Sequence, residues 1–330
     1  MTPLRIGILG SARISLVALI EPALEVPGVT VAAVAAREKE RAEAFALRHA
    51  FPTAHGSYED LLADPEIDAI YNPLPNSLHG PWTLKAIEAG KHVLCEKPFA
   101  SNAAEAEQVA AAAKGSGLVV MEAMHYRYHP LIERLREVVR ELGPVEHLQA
   151  WTSFAIVSPG DIRYDYALAG GALMDGGCYA IDCLRLLGGD DVRVIGAVAD
   201  PVGDDPEGRE ADRAIGVRLA FGGGATGWFD SAFTRDGEFR ADLHVICRDG
   251  QARLDNFIFP QRGTLTVSRD GEVVTSELGG GETSYVYQLR AFAAAVEGGS
   301  GDPVLTSADS AVTTMRVIDE CYSAAGLALR

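Results

Sequence analysis

The strongest constraint in this chain is a rhythm in its first part: short, predominantly apolar runs without polar alternation, most of them followed by a helix-like pattern. The strand candidates are 5–9, 29–35, 69–72, 92–95 and 118–121, and the helical patterns are 16–24, 39–46, 78–89 and 103–113. A strand without polar alternation has both faces buried, and strands that each run into a helix pair in parallel. Joined by right-handed crossovers, such a series gives a doubly wound α/β parallel sheet. Its ligands belong at the carboxyl ends of the strands.

After about Gly143 the rhythm changes. Strand-like runs follow one another at 145–154, 193–199, 214–221, 225–233, 241–247, 252–256, 265–268 and 272–276. Turns such as Phe221-Gly222-Gly223-Gly224 and Arg269-Asp270-Gly271 separate them, which is hairpin chemistry and predicts a mostly antiparallel or mixed sheet. One helix, about 171–187, interrupts the strands, and two more, 284–296 and 307–325, close the chain. A length of 330 residues suits two domains. The expected division is an α/β Rossmann domain over 1–122 and an α+β domain over 123–330, with the C-terminal helix packing back on the first.

Composition narrows the function classes. With 48% hydrophobic and 23% charged residues the chain is an ordinary globular one, and no apolar run reaches the roughly 20 residues of a membrane span. The opening Met1-Thr2-Pro3-Leu4-Arg5-Ile6 leads straight into a strand pattern with no leader, so a cytoplasmic location is expected. The net charge of −17, with no Lys/Arg-rich block, argues against nucleic acid or anionic membrane as partners. Cys95, Cys178, Cys183, Cys247 and Cys321 form no C-x-x-C pair, which favours buried reduced thiols over disulfides or a metal site.

The first strand runs into Gly10-Ser11-Ala12-Arg13-Ile14-Ser15, in the place of a G-x-G-x-x-G/A turn. Small residues at Gly10, Ala12 and Ser15 allow a tight turn and let a pyrophosphate approach the backbone at a helix N-terminus. The same residues also suit a ligand-free strand–helix turn; the position directly after the first strand favours the dinucleotide. The second strand ends Ala35-Ala36-Arg37, where an NAD site would place an acid on the ribose 2′-OH. Small residues followed by Arg37 leave room for a 2′-phosphate and offer it a planar cation, so NADP(H) is preferred over NAD(H). Glu38 is expected in the first turn of the next helix, where the dipole favours a carboxylate.

Two further segments, Tyr71-Asn72-Pro73-Leu74-Pro75-Asn76-Ser77-Leu78-His79 and Cys95-Glu96-Lys97-Pro98, follow parallel strands at their carboxyl ends. Lys97 is restrained by the proline after it, which also permits a cis bond. An ammonium there can hold a substrate hydroxyl or acidify a neighbour, whereas an isolated lysine is usually a solvated surface residue. In the later helix, Asp175, Tyr179 and Asp182 stand at i, i+4 and i+7, one face of an α-helix. The alternative is a helix with its polar side in solvent and Leu173, Ala180, Leu184 and Leu187 in the core.

The ordered set resembles the Gfo/Idh/MocA oxidoreductase family over nearly the whole chain. Its carriers are the N-terminal turn, Leu74-Pro75-Asn76-Ser77-Leu78-His79, Glu96-Lys97-Pro98 preceded by Gly90-Lys91-His92-Val93, Met124-His125-Tyr126-Arg127-Tyr128-His129-Pro130, and Gly170-Gly171-Ala172-Leu173-Met174-Asp175 through Tyr179. Tyr179 and Arg37 are similar to the branch that holds dihydrodiol and NADP-dependent xylose dehydrogenases; Ser15 departs from the usual Ala or Gly. The resemblance implies a catalytic Lys97 with Tyr179 and Asp175. It implies cofactor contacts from Gly10, Ser11, Ala12, Arg13, Ile14, Ala36, Arg37, Pro73, Leu74, Asn76, His79, Glu96, Lys97 and Arg127. Substrate contacts are implied for His79, Lys97, Phe154, Arg163, Asp175 and Tyr179. The reaction implied is hydride transfer to or from a secondary or anomeric hydroxyl of a sugar, sugar derivative, cyclic polyol or dihydrodiol. Two rivals share the fold: a glycosidase that oxidises transiently with tightly held NAD(H), and a non-catalytic ligand-sensing regulator. A large open sheet in the second domain, joining copies into a homodimer or homotetramer, is implied as well, with Val217, Leu219 and Phe221 offering an apolar face unless helices of the same chain cover it.

Overall fold

The computed structural model describes residues 3–158, 160–203, 209–235, 237, 239–298 and 304–330. Pro159, in the expected substrate loop, lies outside the described residues. The chain divides into two compact units, Met1–His125 with Tyr285–Val312, and Tyr126–Ser284 with Thr313–Arg330.

The first unit is built on six parallel strands: β1 (Leu4–Leu9), β2 (Val29–Ala35), β3 (Thr53–His55), β4 (Ala69–Asn72), β5 (His92–Cys95) and β6 (Val120–Glu122), in the order β3-β2-β1-β4-β5-β6. Side chains of β1, β4 and β5 are almost wholly buried, as expected of strands covered on both faces. The crossover helices are α1 (Glu21–Glu25), entered through a π turn at Leu16–Ile20, α2 (Lys39–His49), α3 (Tyr58–Ala63), α4 (His79–Glu88) and α5 (Ala103–Ser116). The strand order reverses at β1, and the loops after β1 and β4 flank that switch point, where folds of this kind bind ligands. β3 and α3 are absent from the sequence reading. Thr53-Ala54-His55 is an edge strand of half-buried residues with no apolar signature, and α3 starts at Ser57, whose Oγ accepts the Asp60 amide at 3.0 Å.

The second unit holds an eight-stranded sheet: β7 (Val145–Ala155), β8 (Val192–Val202), β9 (Ala211–Phe221), β10 (Thr226–Thr234), β11 (Arg240–Cys247), β12 (Gly250–Asp255), β13 (Thr264–Arg269) and β14 (Glu272–Leu278). Their order is β14-β13-β12-β11-β7-β10-β9-β8. All pairs are antiparallel except β7 with β10. The sequence reading misses α6 (Pro130–Glu141). His129 caps it by accepting the Leu131 amide, Pro130 opens it, and Leu131, Ile132, Leu135, Val138 and Val139 are buried. With α7 (Cys178–Gly188) it packs on the sheet, α6 against β12 and β13, α7 against β7 and β10.

Val217, Leu219 and Phe221 therefore lie inside: all three are buried, and the covering is intrachain. The opposite face of the sheet carries Gln149, Trp151, Arg218, Trp228 and Asp230 in register. There the two tryptophans meet edge-on at 4.8 Å, and the Arg240 guanidinium lies 4.4 Å from the Trp151 ring. Two more helices, α8 (Ser284–Val296) and α9 (Ala308–Ala324), follow the last strand. All five cysteines are free and buried. Among the described residues no helix is long and apolar enough to cross a membrane.

Candidate active site

The turn after β1 is shaped by Gly10. Its φ of +83° is open to glycine at little cost, and its amide donates to the Ala35 carbonyl at 2.7 Å, tying the ends of β1 and β2 together. A Cβ on Gly10 would come within 3.1 Å of the Leu74 side chain, so Leu74 from the loop after β4 roofs the turn. Pro73 beside it is buried, and Asn76 begins a short 3-10 turn. Ser11 and Ala12 are half-buried, while Arg13 and Ile14 are exposed. Ser15 is fully buried and its hydroxyl has no hydrogen-bond partner. A buried orphan hydroxyl behind a glycine turn at a helix start is the kind of donor set that a pyrophosphate would complete.

At the end of β2, Ala36 is buried, Arg37 is exposed, and Glu38 sits one residue ahead of α2 with its backbone extended. Arg37 is joined by a residue the sequence reading did not name. Arg41 donates to the Ser11 hydroxyl at 3.2 Å, and both guanidinium groups act on the phenol of Tyr58. Burial raises the Tyr58 pKa; the two cations oppose it. A cavity of about 490 Å³ alongside is lined by Ser11, Arg13, Leu16, Arg41, Phe45 and Arg48. Cations and a phenol thus gather where a 2′-phosphorylated adenosine has to lie, and the residues present fit NADP. The available signal was the second arginine, four residues after Arg37.

Lys97 follows β5 and its bond to Pro98 is cis. The segment is fastened from below. The Tyr71 hydroxyl donates to Glu96 Oε1 at 2.7 Å, and the Glu96 amide donates to the Asn72 carbonyl at 3.0 Å. The Glu96 carboxylate, for which a cofactor contact is implied, is buried, and its bond to Tyr71 supports the loop. His79 is buried, and its Nδ1 and Nε2 lie 2.6 Å from the Pro98 carbonyl and 2.7 Å from the Leu74 carbonyl. As a neutral ring it donates to one of these two carbonyls. The ring bridges the two loops at the mouth of the sheet.

Burial, reinforced by the Lys97 charge, pushes His79 down to about 4 even though its two carbonyl neighbours favour the charged form. His125, stacked on Tyr285 with ring centroids 3.9 Å apart, is pushed to about 3, again by burial first and Lys97 second. Lys97 is thus within electrostatic reach of two buried, neutral imidazoles.

In the second unit, the segment with the remaining candidates is not α-helical throughout. Leu173–Gly177 forms a π turn that passes into α7. Asp175 lies in the wider π turn, where strict i, i+4 stacking on Tyr179 no longer holds. Its carboxylate accepts Arg163 Nε at 2.8 Å, and Arg163 also reaches Asp161 at 3.2 Å. The Asp175 charge, working against burial, raises the Arg163 pKa. Tyr179 is buried with its ring edge-on to Tyr126 at 6.0 Å. Phe154 pairs with Phe239 at 5.5 Å.

The polar side of α7 does not face solvent. Asp182 is 2% exposed, and it accepts the Tyr126 hydroxyl and both-oxygen contacts of 2.9 and 3.1 Å from Arg127 Nη1. Burial works against the Arg127 charge; Asp182 more than offsets it and raises the pKa. Arg127 was expected on the cofactor, yet its guanidinium is engaged by this buried carboxylate. Three of the candidates in this unit are thus ordered by partners the sequence reading did not assign.

Comparison with known proteins agrees with this geometry. Residues 4–124 match the Gfo/Idh/MocA oxidoreductase family with its NAD-binding Rossmann fold, and residues 132–253 match the Gfo/Idh/MocA C-terminal domain. The chain is 39% identical over 327 residues to D-xylose 1-dehydrogenase (NADP(+)) 2 of Haloferax volcanii, covering 97% of this chain and 96% of that protein. Among solved structures, an aldose-aldose oxidoreductase from Caulobacter crescentus complexed with glycerol superposes with a TM-score of 0.87 at 27% identity, covering 98% of both chains. A 3-ketoreductase from Actinomadura kijaniata in complex with NADP and TDP-benzene gives 0.85 at 27% identity over 96% of both.

Proposed function

Because this chain belongs to the Gfo/Idh/MocA oxidoreductase family, we propose that it transfers a hydride between NADP(H) and a secondary or anomeric hydroxyl of a sugar, sugar derivative, cyclic polyol or dihydrodiol. The observation that carries the cofactor preference is the end of β2 at Ala36-Arg37, where the exposed Arg37 replaces an acid and Arg41 donates to Ser11 of the Gly10 turn. A ribose 2′-OH needs a carboxylate acceptor there; a 2′-phosphate needs cations. The sugar class rests on the relatives described above, which are named for xylose, aldose and keto-sugar-type redox reactions rather than for glycoside hydrolysis or regulation.

The bound nicotinamide supplies the hydride chemistry. The protein's own part is to hold a proton and a charge at the reacting oxygen. In the oxidative direction Tyr179, as the tyrosinate, takes the proton of the substrate hydroxyl and becomes the phenol, and the Lys97 ammonium stabilises both the tyrosinate and the negative charge that develops on the substrate oxygen. With His79 and His125 neutral, no imidazolium competes with Lys97 for that charge. Asp175, fixed by Arg163, orients a neighbouring substrate hydroxyl. The outer face of the eight-stranded sheet, with Trp151 and Trp228 at its centre, is the surface on which two copies pair, into a dimer or a dimer of dimers. Five reduced cysteines fit a cytoplasmic setting.

A screen of pentoses, hexoses, inositols and trans-dihydrodiols with NADP or NAD, followed by absorbance of the reduced cofactor, tests the reading. Turnover of at least one class with NADP preferred is expected. Glycoside cleavage without added cofactor, or reduction of NAD alone, would overturn it.

A further inference from the structure

A second buried ion pair stands at the entry to the π turn, well along the chain from the Arg127–Asp182 pair. Asp212 on β9 and Arg330 are both completely enclosed as side chains, with Arg330 Nη2 donating to Asp212 Oδ1 at 3.0 Å. The Tyr322 hydroxyl donates to the same oxygen at 2.8 Å, and the Arg330 guanidinium lies 4.0 Å from the Tyr322 ring centroid and 4.9 Å from that of Tyr166. The other carboxylate oxygen, Oδ2, accepts the Leu173 amide at 2.7 Å. Arg330 Nε donates to the Gly170 carbonyl at 2.9 Å, and the Ser231 hydroxyl to the Ala172 carbonyl at 2.7 Å. Three main-chain groups between Gly170 and Leu173 are therefore gripped by side chains from β9, β10 and Arg330.

Gly171 lets them close in. Its φ is +140°, and a Cβ there would lie 2.1 Å from Asp212 Oδ1 and 2.7 Å from the Tyr322 hydroxyl. We infer that Asp212 and Arg330 are positioning residues for the reaction: they fix the start of the helical segment that carries Asp175 and Tyr179. The inference rests on the assignment of those two residues to the chemistry proposed above.

The physical case has three steps. The first amides of a helix have no partner within it, and a carboxylate both accepts one and suits the positive end of the dipole. A buried carboxylate alone is costly, so it requires a cation. An arginine does more than a lysine, because its planar fork binds Asp212 and the Gly170 carbonyl together and so sets the distance between the strand and the turn. Apolar residues would fill the same volume at no less stability, and they would leave the turn free to slide. The grip is on the residues just before the π turn, two positions before Asp175 and six before Tyr179 as counted from Leu173.

The test uses the full-length protein with saturating NADP and the best substrate of the screen, and measures kcat per cofactor site, KM, NADP affinity and the pH profile. Arg330→Met should lower kcat about 10–100-fold, the scale of a misplacement near 1 Å, with NADP affinity unchanged. Arg330→Lys, which keeps the charge and loses the fork, should recover only part of it. Tyr322→Phe, which removes one hydrogen bond and no charge, should show a smaller loss in kcat of several-fold; it decides the matter if Arg330→Met does not fold. Full kcat per folded site and an unchanged pH profile, with only a lower Tm, would show that the pair merely stabilises the fold and overturns the inference. Tyr179→Phe run alongside separates the two claims. If it keeps full activity the chemical assignment fails; if it loses activity while Arg330→Met and Tyr322→Phe do not, only the positioning role fails.

Discussion

Two buried imidazoles of the first unit and two buried ion pairs of the second are held by different means. Under the ligand end of the parallel sheet, near the buried carboxylates of Glu96 and Glu122, His79 and His125 lose their protons to burial, and the charge of Lys97 adds to the effect. Behind the antiparallel sheet the buried groups are ion-paired, Asp182 with Arg127 and Asp212 with Arg330. Neutral rings cost little to hold and put no second cation beside Lys97, which suits a site that must stabilise developing charge. Buried ion pairs cost more to assemble but are directional, and they suit the placing of a helix. The first unit is arranged to set electrostatics and the second to set geometry.

The largest effect expected from this contrast is on stability. Arg127→Met leaves the Asp182 carboxylate buried without its main cation and should cost about 3–5 kcal/mol in urea unfolding. The triple variant Arg127→Met/Asp182→Leu/Tyr126→Phe, which also removes the buried hydroxyl that Asp182 accepts, should regain most of that, because an apolar set of similar volume carries no desolvation penalty. Should Arg127→Met be as stable as the parent, the second unit would not depend on paired charge and the contrast would collapse.

Next in size is the catalytic pair. Lys97→Met and Tyr179→Phe should each lower kcat by at least ~10²-fold with cofactor binding retained, and the double variant should lose little more than the worse single one. Additive losses would mean that the two residues serve separate steps. Arg37→Ala should follow, narrowing the preference for NADP over NAD by about 10–100-fold, the worth of one charge-assisted contact. Fluorescence titration with both cofactors measures it. A similar loss in Arg41→Ala would establish the two arginines as a clamp, whereas equal affinities in the parent protein would remove the basis for NADP.

How far these features were legible follows from their range along the chain. β1, β2, β4 and β5 announce themselves through predominantly apolar runs, and the Gly10 turn is local to six residues. β3 is half-buried and has no such run. α6 was legible in principle, since Pro130 opens it and Leu131, Leu135 and Val138 recur at helical spacing directly after the Met124–Pro130 motif. The supports of the site were not legible at all. Arg127 and Asp182 are 55 positions apart, and Asp212 and Arg330 are 118 apart. No periodicity connects such residues; the fold alone brings them together. His79 shows the same limit in reverse. Its motif puts it at the mouth of the sheet, yet only the fold brings the Pro98 and Leu74 carbonyls to within 2.6 and 2.7 Å of its two ring nitrogens.

The smallest effect probes the neutral side of the contrast directly. His79 and His125 have folded pKa values of about 4 and about 3, below the 6.5 of a free imidazole. Between those limits the unfolded chain binds protons that the folded chain refuses, so stability rises with pH. The contribution is fully present above about pH 6.5 and is lost as the pH falls toward 4 and 3. Between about pH 7.5 and about pH 5.5 each neutral histidine should account for a loss of about 1 kcal/mol. His92, His129 and His244, each lowered chiefly by burial, push in the same direction, so the raw slope of the protein does not isolate either residue. The difference between parent and His125→Phe does. Phenylalanine keeps a ring against Tyr285 and cannot titrate, and the drop in stability over that interval should be about 1 kcal/mol smaller in the variant. An identical drop would mean that His125 carries its proton in the folded state. A second cation would then stand within electrostatic reach of Lys97, and the first unit would hold this buried ring charged rather than neutral.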